Sequence, residues 1–184
     1  MNPRHAILEI GSHGVRRMTG AIRNPLLALL AVVVLLASAG YAVFRAEQRA
    51  RQCMQHLRHI YLALEMYELD HGALPHMAFY PDDAWHSADS MLVVLDPYAI
   101  TSEIGTCPGD HEVVRAHGLS YIWNANLNGA LLHEQDRDTW LVTGLNALSE
   151  QVPAPHLGRH ITLYADGRIV RSRKPPRGLT EIRP

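Results

Sequence analysis

The chain has 184 residues, 47% of them apolar, and a formal charge of −1, which fits one modest domain plus an appendage. Residues 45–167 carry 7 Lys/Arg against 16 Asp/Glu, and an acidic body of this kind argues against nucleic acid, whose recognition needs a basic face. Residues 168–184 reverse the balance, with six basic residues against one acid; this short stretch, containing RSRKPPRG, reads as a solvated, flexible end.

In chain order, residues 1–24 read as a basic leader or cytoplasmic segment. Residues 25–44, PLLALLAVVVLLASAGYAVF, run for twenty residues without a charge. At 1.5 Å per residue that is about 30 Å of helix, the thickness of a bilayer's hydrocarbon core. Pro25 suits a first helical position, where its missing N–H costs nothing. A signal peptide is the alternative, with Ala37–Ala39 imitating a cleavage site, but a secretory apolar region is usually about 7–15 residues long. A retained membrane anchor is therefore expected, with lipid as its partner. Arginines flank the span on both sides, so charge alone does not orient it.

The helix is expected to continue through residues 45–72. Cys53, Leu57, Ile60, Leu64 and Tyr67 recur at alternating spacings of four and three, a single apolar stripe for packing, while Arg51, Arg58 and Glu65 fall opposite. Gly72, followed by Pro75, is the stop signal. Residues 73–172 read as a small α+β domain and 173–184 as the tail. Within the domain, residues 90–100 suggest a short helix ending before Pro97. LSYIW (119–123) and TWLVT (139–143) suggest strands, with turn chemistry in NANLNG. ITLYADGRIVR is the strongest hairpin signal, and Asp166-Gly167 predict a two-residue type I′ turn. The expected fold class is α+β, with one long N-terminal helix packed on a small, mainly antiparallel sheet.

The pieces CMQHLRHIYLALEMY, LALEMYELDHGALP, CPGD, SYIWN and PHLGRHITLYADGRIV stand in this order across Cys53 to Val170. Together they resemble the pseudopilins of type II secretion and, more closely, bacterial pilin-like proteins with a C-terminal H-x9-D-G signature. In those proteins a helix opens with a cysteine and a NLRQIGLAL type of stretch, followed by a CPSD segment, an SY strand and a FADGHV hairpin. His156, Asp166 and Gly167 hold the signature's positions here. The resemblance implies a pilin-like fold, anchoring in the inner membrane by one span, a C-terminal domain outside the cytoplasm, and structural work through contacts with other pseudopilins or secretion-system membrane proteins. It also implies a leader peptidase cut, for which Gly20 and Ala21 are the candidate pair. The sequence departs from the pattern there: the fifth residue after Gly20 is Pro25, where the family has glutamate, and residues 25–44 contain no acid. A membrane-anchored binding or sensor module on the same fold is the alternative that this departure favours.

If the resemblance sets the compartment, Cys53 and Cys107 lie where an isolated pair is usually bridged. Closing a loop of roughly 50 residues is worth about 3–4 kcal/mol in the chain-entropy account. The other reading leaves Cys53 as a small apolar stripe residue and Cys107 as a free thiol.

Twelve histidines invite a metal reading through His56 and His59, Asp70-His71 or Asp110-His111. None of these forms a zinc spacing such as H-E-x-x-H, so no metal is expected. Calcium stays open, since major pseudopilins bind it in a C-terminal loop, although no dense carboxylate loop is present. There is no G-x-S-x-G elbow and no phosphate-binding glycine loop, and Cys107 has His111 near it only in sequence. Neither catalytic residues nor a cofactor is expected. His156 reads either as a ligand or base facing Asp166 or as a structural peg bonded to the turn or neighbouring backbone. The peg is the expectation, with Asp166-Gly167 supplying turn geometry alone.

Overall fold

A computed structural model describes residues 24–149 and 153–179 of the chain. The Gly20–Ala21 pair and the end of the basic tail lie outside the described residues. The chain divides into two compact units, one up to Ala39 and one from Gly40 onward.

Helix α1 spans Pro25–His71, 47 residues without interruption. The Asn24 side chain opens it by accepting the Leu26 N–H. Gly72 closes it with φ +78°, its N–H bonded to the Glu68 carbonyl, the left-handed stop that a glycine adopts without steric cost. α1 is the one described helix long and apolar enough to cross a membrane, and Leu26, Leu30, Val33 and Leu36 stand exposed along it.

In the second unit α1 presents Ala50, Cys53, Leu57, Ile60, Ala63 and Leu64 as a fully buried stripe. Tyr67, at its end, is only half-buried and meets the Tyr98 ring edge-on at 5.8 Å. Small residues at positions 50, 53 and 63 let the helix approach closely, and the larger ones fill the space between.

The stripe packs on a four-stranded antiparallel sheet in the order β1 (Tyr121–Trp123), β2 (Trp140–Gly144), β3 (His160–Tyr164), β4 (Ile169–Ser172). The chain is thus α+β, a long helix on a small antiparallel meander. Ile122 pairs with Thr143, Thr143 with Thr162, and Ile161 with Arg171. The Thr143 and Thr162 hydroxyls meet across the strands at 2.9 Å, which satisfies two buried polar groups with each other. Leu141 and Leu163 belong to the helix-side core, whereas Ile122 and Trp140 pack on the other face with Leu179 and the half-buried Phe79 and Tyr164. Both faces are covered, so β1 and β2 are buried almost without alternation.

Between α1 and β1 lie α2 (Met91–Val94), α3 (Ser102–Gly105) and α4 (Glu112–Ala116). As expected within residues 90–100, a short helix ends before Pro97: α2 stops at Val94, and Pro97 sits inside a separate 3-10 turn, Asp96–Tyr98, where proline at an opening position needs no N–H partner. Asn128, from the NANLNG stretch, serves the extended segment before α2. Its Oδ1 accepts from Met77 N and Trp123 Nε1, and its Nδ2 donates to the Met77 carbonyl.

The β3–β4 turn corrects the type I′ expectation. Only Gly167 has positive φ, at +77°. Gly167 N bonds to the Tyr164 carbonyl and Tyr164 N to that of Arg168, so three residues connect the strands. This is a type I turn closed by a left-handed glycine. Asp166 takes its ordinary backbone conformation and uses its carboxylate to accept from Arg168 N and the Arg168 guanidinium.

Two helix substitutions test the packing. Leu64→Ala removes a fully buried side chain and is expected to cost about 2–5 kcal/mol. Leu62→Ala, on the exposed side, is expected to stay within about 0.5 kcal/mol. Denaturant unfolding of the detergent-solubilised full chain, followed by tryptophan fluorescence, measures both.

Candidate functional site

The densest chemistry in the domain gathers where α1, the CPGD loop and the segment before β3 meet. Cys53 and Cys107 are joined by a disulfide across a sequence separation of 54. Cys53 belongs to the buried stripe of α1, and Cys107 opens a tight turn in which Asp110 N bonds to the Cys107 carbonyl. The Cys107 N–H donates to Ser120 Oγ at 2.9 Å. The bridge thereby fixes the helix to the loop, and the loop to the start of β1.

His156 completes the cluster. Its Nε2 lies 3.2 Å from Cys107 Sγ. A disulfide sulfur carries no hydrogen, so Nε2–H is the donor and Nδ1 is left as an acceptor. That Nδ1 is buried without a protein partner, as are Asp110 Oδ2 and the Tyr121 hydroxyl, and all three residues line one narrow cavity beside the disulfide. Asp110 is otherwise held by a relay. His160 Nδ1 donates to Asn146 Oδ1, and Asn146 Nδ2 donates to Asp110 Oδ1 at 3.1 Å.

The backbone bends hard to place this histidine. His156, Leu157 and Gly158 have φ of +57°, +63° and +75° in succession, and Arg159 N closes the turn on the Pro155 carbonyl. Left-handed conformations at the two non-glycine residues cost roughly 1–2 kcal/mol each. The compensation is local: the ring packs on the disulfide, and the His156 carbonyl accepts from Arg171 Nη2. Arg171 also holds Glu47 of α1 through both carboxylate oxygens at 2.9 Å. Gly109 is required for a different reason from most turn glycines. Its φ is not left-handed, but a Cβ there would stand 2.7 Å from His156 Nδ1, so a side chain at 109 and a ring at 156 exclude one another.

Burial shapes the protonation of this cluster. Desolvation pushes His156 down to about 4, with the Arg171 charge acting the same way. Desolvation raises Asp110 to about 6, opposed by a hydrogen bond from Ser120. The Tyr121 hydroxyl is also raised by burial and by Asp110. At neutral pH the histidine is a neutral acceptor and cannot serve as a cation.

Few of the pairings suggested by sequence proximity survive in the fold. His156 does not face Asp166, which is tied to Arg168, and its side chain bonds neither the hairpin turn nor nearby backbone: its partner is the disulfide. His111 does not approach Cys107; it caps α4 by accepting the Val113 N–H. His56 donates from Nδ1 to the Thr106 carbonyl at 3.0 Å, and His59 is exposed. Among the described residues, one group of metal-ligand atoms lies close enough together for an ion, Cys53, Cys107 and His156, and its two sulfurs are already bonded to each other. Sequence reasoning missed the burial of Asp110 and Asn146 and the meeting of Cys107 with His156, which are 49 positions apart. No local pattern signals either.

No protein family, curated protein or solved structure matches this chain. The geometry alone therefore carries the interpretation. The arrangement is a buried covalent staple with a neutral histidine wedged against it.

The pH response separates the two buried groups. His156 stays neutral in the fold, so its stabilising contribution is complete above about pH 6.5 and is lost as the pH falls toward 4. His56 and His160, both lowered by burial, act in the same direction. Asp110 opposes them: its contribution is complete below about pH 3.8 and is lost as the pH rises through about 6. Asp110→Asn removes the opposing group, so between about pH 4.5 and 6.5 the variant is expected to gain more stability than the parent in denaturant titrations. Parallel profiles would contradict this assignment.

Proposed function

We propose that this protein is a structural, pseudopilin-like subunit anchored in the inner membrane by one span, with its domain outside the cytoplasm, and that it works by assembly and partner contacts. The observation that carries this reading is the continuity of α1. Twenty uncharged, mostly apolar and exposed residues pass without a break into a stretch whose other face is the core of a folded domain. Such a helix serves as an anchor and as a lateral contact surface at once. The disulfide supports an oxidising, extracytoplasmic location, and the CPGD loop and His156, from two of the stretches that resemble pilin-like proteins, pack at it. Enzymatic activity and a cofactor have no part in this role.

One observation favours a second reading, a membrane-anchored binding module that stays outside any filament. Pro25 occupies the position at which the pilin-like proteins have glutamate, and residues 25–44 contain no acid to pair with a neighbour's N-terminus.

Intact mass and N-terminal sequencing of the chain extracted from its native membrane distinguish these outcomes. The pseudopilin reading predicts a chain beginning at Ala21, with or without N-methylation. A chain retaining residues 1–20 would support the second reading. A chain beginning near Gly40 would overturn both, because the apolar segment would then have been a cleaved signal.

A further inference from the structure

The charge of the domain is sharply polarised. Residues 54–152 contain 3 Lys/Arg and 14 Asp/Glu, whereas the segments 40–53, 153–162 and 169–174 together contain 7 Lys/Arg and 1 acid. The fold gathers those three segments at one place. Arg171 of β4 bonds both Glu47 of α1 and the His156 carbonyl. The Arg171 hydrogen bond holds the Glu47 carboxylate below the usual range, and the charges of Arg51 and Arg159 act in the same direction. Ser172 pairs with His160, so Arg173 and Arg159 flank the same end of the hairpin. The single acid is thus neutralised internally, and Arg45, Arg49, Arg51, Arg159, Arg173 and Lys174 of the same three segments remain exposed.

The height of this basic collar follows from the helix. Glu47 is three residues past Phe44, the end of the apolar run, so it lies about 4.5 Å further along the axis. The headgroup layer on each side of a bilayer is about 5–8 Å deep. The left-handed turn Pro155–Gly158, joined to Glu47 through Arg171, carries Leu157, which is 59% exposed, and Tyr41 stacks beneath Arg45 at 5.9 Å, an aromatic placement suited to the membrane–water boundary.

We infer that the collar around Glu47, with Leu157 at the tip of its turn, docks on the anionic phospholipid headgroups of the leaflet from which α1 emerges. The inference rests on the membrane-anchor reading above and adds to it a partner and a surface. The turn supplies an apolar contact, the arginines supply charge complementarity, and Arg171 ties the turn to Glu47 of the helix.

The test uses the full chain reconstituted in vesicles of phosphatidylcholine alone or with phosphatidylglycerol, some of the phosphatidylcholine being brominated in the upper acyl chain. Leu157→Trp is compared with the parent, so that Trp85, Trp123 and Trp140 supply the background. Quenching of the added tryptophan is expected in the anionic vesicles, to weaken in high salt, and to be lost in the further variant Arg159→Glu/Arg173→Glu. Each arginine near an anionic surface contributes about fivefold in partitioning. Absence of quenching in chains that co-float with the vesicles would overturn the docking and leave the anchor intact, and quenching equal in both lipid mixtures would overturn the headgroup assignment. Chains that fail to co-float would sink the anchor reading, and the docking with it.

Discussion

The Cys53–Cys107 bond is the constraint on which the rest of the domain depends. Cys53 sits near the start of the buried stripe of α1, between Ala50 and Leu57. Bridging it to Cys107 pulls an irregular loop against the helix where no strand or long helix could do so. The restriction this cross-link places on the denatured chain is worth about 3–4 kcal/mol in the chain-entropy account. That is a large share of the marginal stability of a small domain. Ser120, bonded to the Cys107 amide, carries the same constraint into β1, and β1 orders the meander behind it.

Around the bridge the protein accepts several local costs. Two non-glycine residues hold left-handed backbone, and three polar atoms are buried without protein partners. Asp110 is kept close to half-protonated near pH 6 by its desolvation. The nearest sulfurs are bonded to each other, and the histidine's donor nitrogen is directed at one of them. The cluster makes sense as a wedge that fills the space under the disulfide and holds the 155–159 turn, whose carbonyl in turn receives Arg171. Glu47, Arg171 and His156 therefore form one mechanical unit linking the helix to the C-terminal hairpin.

Much of this architecture is legible in the sequence because it depends on periodicity. The stripe Leu57, Ile60 and Leu64 follows the helical repeat, Gly72 ends the helix for a reason visible in its residue type, and the β-rich runs around Ile122, Leu141 and Leu163 are strands. The cluster was not legible for the opposite reason. His156 and Cys107 meet through tertiary closure, and Gly109 is small because a ring from a distant part of the chain lies against it, not because of its own φ. The type I′ expectation failed at Asp166 because a third residue joins the turn, which local composition does not specify. The basic residues of the tail are visible in the sequence, but only the pairing of β3 with β4 sets Arg173 beside Arg159.

The central claim, a domain stapled to its helix outside the cytoplasm, is tested most directly by the redox state of the cysteines in living cells. Thiols would be trapped with a membrane-permeant alkylating reagent during rapid acid quenching, and the extracted chain digested and mapped without reduction. The account predicts that the peptides containing Cys53 and Cys107 are recovered as one linked, unalkylated species. Separate peptides, each alkylated, would place the domain in a reducing compartment and contradict both the staple and the orientation built on it.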